Sequence, residues 1–109
     1  NPTVLFLDEP TNFLDIRHQS ELLSLLKKLN RERALTIVAV LHDLNQVIEL
    51  ADHVILMREG RVMTTGEPAT VFTKPHLKQA FDFEIDITQH PDLPIPFCLP
   101  RWVHHRDRP

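Results

Sequence analysis

Two adjacent carboxylates, Asp8 and Glu9, follow the apolar run Val4-Leu5-Phe6-Leu7 and are cut off at once by Pro10. Such a run suits a central parallel strand covered on both faces, and open α/β sheets bind ligands just outside the carboxyl ends of their strands. Pro10 has no N–H to continue a ladder and biases Glu9 away from helical geometry, so the strand stops there. Neighbouring side chains at a strand end point in different directions, which lets the pair hold two tasks. Asp8 suits a hard cation such as Mg²⁺, directly or through water. Glu9 suits the orientation and polarisation of an attacking water, worth roughly 10²–10⁴ in rate for a positioned general base. A second apolar run, from Ala34 to Leu41, delivers His42 to another strand end, where it could share that crevice. Taken alone, such a dipeptide is more often two solvated acids at a strand lip, and such a histidine more often a structural one.

The elements that must position these groups are legible in the pattern. Asp15 can cap a helix from Ile16 to about Arg31, with Ile16, Leu22, Leu23, Leu26 and Leu29 on one stripe and Arg17, Glu21, Lys27 and Lys28 away from it. Arg31-Glu32-Arg33 connects to the next strand, and strand, helix, strand implies a right-handed parallel crossover. Asp43 and Gln46 read as a capping box for a short helix carrying Leu44, Val47, Ile48 and Ala51 at helical spacing. Val54 to Met57 and Arg61 to Thr64 read as strands joined by a hairpin at Glu59-Gly60. Helical segments then open at Pro68 and at Lys74-Pro75, the second ending near Phe81. His53 reads as a structural residue at a strand start.

Beyond Phe83 the composition changes. Glu84 to Thr88 alternates like an exposed strand, prolines punctuate 91–100, and Ile95 to Leu99 could pair back as a small hairpin, its prolines confining it to an edge. His104 to Arg108 is charged and terminal, with disorder the default reading. His76, His90 and the His104-His105 pair lack the regular spacing of a zinc site.

Three segments in order, VLFLDEP, TNFLD and VAVLHDLNQ, resemble the Walker B strand, D-loop and H-loop of ABC-type ATPase nucleotide-binding domains, and Ala51 to Val62 is similar to that family's closing strands. The resemblance covers about the first 80 residues. Thr11 to Gln19 and Leu41 to Gln46 look most like ATPase subunits of importers for iron-siderophore, haem and cobalamin complexes. The resemblance implies an α/β fold, the C-terminal part of a P-loop NTPase domain of mainly parallel strands with covering helices, plus a hairpin and a proline-rich extended tail. Residues 1–82 would be the C-terminal half of the ATPase domain and 83–109 the tail. It further implies that Asp8 supports the Mg²⁺ shell through water, Glu9 positions the hydrolytic water, Asp15 reaches across an ATP-sandwich dimer and His42 contacts the γ-phosphate. ATP and Mg²⁺ would be the cofactors, and a second identical ATPase subunit and membrane permease subunits the partners, at the cytoplasmic face of the membrane. A soluble ABC-type machine of DNA repair or translation, or a dimerisation module without catalysis, are the competing readings.

The sequence also departs from that family. No G-x-x-x-x-G-K-[ST] loop, glutamine loop or LSGGQ-type signature occurs, and with only Gly60 and Gly66 no glycine-rich phosphate cradle can be built. The expectation is a piece of a longer subunit, inactive alone. A net charge of −3 supplies no broad basic field for nucleic acid, and the single Cys98 cannot form an internal disulfide. No apolar run approaches the roughly 20 residues that span a bilayer.

Overall fold

The computed structural model describes residues 3–102, and the chain divides into two compact units between Leu50 and Ala51. In the first, β1 (Val4–Asp8) leads through α1 (Ile16–Arg33) to β2 (Thr36–Val40) and α2 (Leu44–Leu50). β1 and β2 pair in parallel from Val4↔Thr36 to Asp8↔Val40, so the two strands end side by side. Thr36 N donates to Thr3 O (3.1 Å) and Glu9 N to Val40 O (2.8 Å), extending the ladder at both ends.

Within the described residues one face of β1 is covered and the other is open. Leu5, Leu7, Ile37 and Ala39 turn inward and are half-buried, whereas Val4, Phe6, Val38 and Val40 are exposed, Phe6 at 73%. The reason is layer count: within this unit the pair is a two-stranded sheet, with α1 in contact with β2 and α2. Continuous apolarity therefore does not translate into two covered faces here.

α1 begins where Asp15, in extended geometry, accepts from His18 N (2.9 Å). It runs two residues past the expected Arg31 and ends at Ala34 in the left-handed region. Leu26 is its buried anchor, worth about 1.5–3 kcal/mol of hydrophobic stabilisation. Two stripe assignments change. Ile16 is 85% exposed, because the first turn overhangs the apolar layer. Lys27, expected to point away, reaches the last carbonyls of α2 instead, Glu49 O at 3.4 Å and Leu50 O at 3.1 Å, where a cation also complements the helix dipole.

The second unit opens with β3 (Val54–Arg58) and β4 (Arg61–Gly66), antiparallel. Glu59 and Gly60 both have positive φ, 52° and 76°, as a two-residue type I′ hairpin requires. A bulge follows, since Leu56 faces Thr64 but Met57 faces Val62. α3 (Pro68–Val71) and α4 (Lys74–Phe81) lie against this hairpin, and Val54, Leu56, Val71, Phe72, Leu77 and Ala80 are buried. β5 (Ile85–Gln89) and β6 (Pro96–Pro100) pair antiparallel, with the prolines at the two ends of β6. The predicted exposed strand is one-sided: Ile85 and Cys98 are buried, and α4 contacts β5. His104 to Arg108, expected to be disordered, lies outside the described residues.

Asp86 ties this hairpin together. Arg101 holds it in a fork, Nε to Oδ2 at 2.8 Å and Nη2 to Oδ1 at 2.9 Å, and Lys74 Nζ approaches Oδ1 at 3.0 Å. The Arg101 hydrogen bonds, then that from Lys74, hold the Asp86 carboxyl well below the usual carboxylate range. A depressed folded-state pKa contributes stability that is present above the ordinary value of 3.8 and lost as pH falls below it. Thermal unfolding midpoints recorded from pH 6 down to pH 2 should fall below about pH 4, and Asp86→Asn should flatten that fall; an unchanged slope would count against the assignment. Independently, Asp15→Ala should destabilise α1 by about 0.5–2 kcal/mol, read as faster amide exchange in its first turn.

Candidate active site

The parallel register of β1 and β2 brings Glu9 and His42 together. Glu9 follows Asp8 at the end of β1, and His42 lies two residues beyond Val40, the Asp8 partner on β2. Backbone geometry reinforces this. Glu9 has φ 50°, a left-handed conformation that costs a non-glycine residue roughly 1–2 kcal/mol, and its N–H is held by Val40 O at 2.8 Å. The turn away from the strand is thus made at Glu9 itself. His42 Nε2 donates to Glu9 Oε1. The imidazole is 76% exposed and the Glu9 side chain 33%, so the pair is open to a ligand from the imidazole side.

Asp8 ends β1 exposed, and among the described residues its carboxylate makes no hydrogen bond or ion pair. Among those residues no three histidine, cysteine or acidic side chains group as a metal cage. One unengaged carboxylate in an open position fits a cation that keeps several waters and takes its remaining ligands from phosphate, as Mg²⁺ does. It does not fit a closed structural site. Asp15 stands apart: its Oδ1 caps α1 and lies 2.9 Å from His18 Nδ1, engaged with its own helix rather than with Glu9 or His42.

α2 supplies the second difference from expectation. Asp43 Oδ1 accepts from Asn45 N (2.9 Å) and Gln46 N (3.2 Å), as an N-terminal cap should. Gln46 does not reciprocate. Its side chain accepts from Thr11 Oγ1 (3.1 Å) and donates to Gln19 Oε1 (3.0 Å), because better-placed partners on α1 and the 9–15 loop outcompete the box. Sequence reasoning missed Thr11, Gln19 and Gln46 as a group; their long sequence separation left no local signal. Asn12 N donates to Glu9 O (3.1 Å) and Leu14 N to Thr11 O (3.3 Å), folding the loop into consecutive turns that present Phe13 at φ 67° to solvent.

No family model matches the chain. It is 41% identical over 97 residues to the ferric enterobactin transport ATP-binding protein FepC of Escherichia coli (strain K12), covering 89% of this chain and 36% of that protein. It is 42% identical over 91 residues to the hemin import ATP-binding protein HmuV of Escherichia coli O157:H7, covering 84% of this chain and 36% of that protein. Among solved structures, one described as an inward-facing conformation of a metal-chelate type ABC transporter superposes with a TM-score of 0.79 at 28% identity, covering 90% of this chain and 40% of that one. The chain spans just over a third of the length of the curated relatives it matches. In sequence and in fold alike, it is a homologue of part of the ATP-binding subunits of siderophore and haem ABC transporters.

Proposed function

We propose that the protein carrying this chain is the ATP-hydrolysing subunit of an importer for iron-siderophore, haem or cobalamin complexes. The observation that carries the reading is the contact of the Glu9 carboxylate with the His42 ring beside the unengaged Asp8, all at adjacent ends of two parallel strands. Phosphoryl transfer depends on positioning and on stabilising charge spread over the γ-phosphate oxygens. Glu9 is the group that orients the attacking water and accepts its proton. His42 Nε2, which donates to Glu9, is the donor that turns to a γ-phosphate oxygen when nucleotide enters, releasing Glu9 to the water. Asp8 orders the water shell of Mg²⁺, which when bound neutralises phosphate charge. Asp15, at the start of α1, faces a second copy in an ATP-sandwich homodimer.

In this reading residues 1–82 are the C-terminal half of the ATPase domain and 83–109 its extension. The subunit works peripherally at the cytoplasmic face of the membrane, held there by permease subunits, with ATP and Mg²⁺ as cofactors and without nucleic acid. The relatives, a ferric enterobactin transport protein and a hemin import protein, favour import over a soluble machine of DNA repair or translation.

In the full-length subunit assembled with its permease, Glu9→Gln should retain ATP binding while phosphate release falls by about 10²–10⁴, and His42→Ala should lower it similarly. Turnover by Glu9→Gln at the unmodified rate would overturn the assignment. The 109-residue chain by itself, with two glycines and no phosphate cradle, should release no phosphate above buffer.

A further inference from the structure

Thr11 is the single buried polar side chain among the described residues, 8% exposed in a loop that is otherwise largely open. It belongs to a closed ring. Thr11 Oγ1 donates to Gln46 Oε1, Gln46 Nε2 donates to Gln19 Oε1, and Gln19 Nε2 donates back to Thr11 O (3.3 Å) and to Leu14 O (3.0 Å). The polarity of this ring has one solution. Two backbone carbonyls only accept, so they fix the Gln19 amide with its nitrogen toward the loop. That places Gln19 Oε1 toward Gln46, which must then present its nitrogen to Gln19 and its oxygen to Thr11. Thr11 is left as obligate donor. Flipping either amide would set oxygen against oxygen.

We propose that this ring positions the Glu9–His42 pair, setting the approach of the two segments that carry them, an inference that rests on the ATPase reading for its catalytic consequence. Thr11 lies two residues beyond Glu9, in a turn closed by Asn12 N on Glu9 O. Gln46 lies about one helical turn beyond His42, within the first turn of α2. α2 has seven residues, too short to hold its own place in water, and the strongly exposed His42 ring has little around it to fix its direction. The far end of α2 is held by Lys27, and the ring is the corresponding hold at the end nearest His42. Gln19 is thus the common post on α1 to which both segments are tied. Thr11, Gln19 and Gln46 are positioning residues: they act through Glu9 and His42 rather than on substrate.

The experiment uses the full-length subunit with Thr11→Val, Gln46→Glu and the conservative Thr11→Ser. Gln46→Glu keeps the acceptor for Thr11 and removes the donor to Gln19 by exchanging one heavy atom. Both disruptive variants should lower kcat about tenfold to a hundredfold, the scale of a small misplacement, with KM for ATP within about twofold, and Thr11→Ser should restore kcat. The ¹⁵N resonances of the His42 ring, recorded without nucleotide, should lose the signature of the Glu9 contact in Thr11→Val and Gln46→Glu and keep it in Thr11→Ser. Unchanged His42 resonances in both disruptive variants would overturn the proposal, as would equal losses of kcat in Thr11→Ser and Thr11→Val. If Thr11→Val fails to fold, Gln46→Glu carries the same comparison. Loss of the His42 signature in both disruptive variants of a subunit that, unmodified, turns over no ATP would uphold the positioning role and sink the ATPase reading, so the two failures are distinguishable.

Discussion

The in-register parallel pairing of β1 with β2 is the constraint on which the amino-terminal unit depends. Parallel strands put both carboxyl ends on the same side, so residues 34 positions apart in the sequence, Asp8 and His42, come to the same end of the sheet without any direct attraction between them. Slipping that register by one residue would exchange the inner set Leu5, Leu7, Ile37 and Ala39 for the outer one and carry Glu9 away from Val40 O. Burial and chemistry are therefore specified by one alignment.

Strain and hydrogen bonding share the work at the strand ends. Glu9 and Phe13 both occupy the left-handed region without being glycine, and between them the loop satisfies its own backbone through Glu9 O and Thr11 O while borrowing Gln19 from α1 for the rest. A closed ring of neutral hydrogen bonds in a half-buried setting is cooperative, and a half-satisfied one is costly, which makes it a sharper definer of geometry than an exposed ion pair. The Arg101–Asp86–Lys74 cluster in the second unit serves stability in a different manner, through charge, and is correspondingly sensitive to acid.

Much of this was legible in the residues because local rules governed it. Asp15 as a cap, the strand break at Pro10, the Glu59-Gly60 hairpin and, one residue early on each strand, the pairing of 84–88 with 95–99 each follow from a property of one or two residues. What was not legible was what depends on partners distant in sequence. Gln46 looked like a capping-box glutamine because Thr11 and Gln19, 35 and 27 positions away, are invisible at that range. The apolar run of β1 suits two covered faces, of which the layers in this chain supply one. Lys27 looked like a solvated charge for the same reason, its acceptors lying on another helix.

Cys98, the chain's one cysteine, sits 1% exposed on β6, opposite Ile87. A thiol so enclosed is chemically silent toward alkylating reagents until the β5–β6 hairpin opens, because reaction requires both access and thiolate. The chain accordingly carries its own stopwatch for the carboxyl-terminal hairpin: the rate at which a maleimide consumes that sulfur reports how often the packing around β6 comes apart.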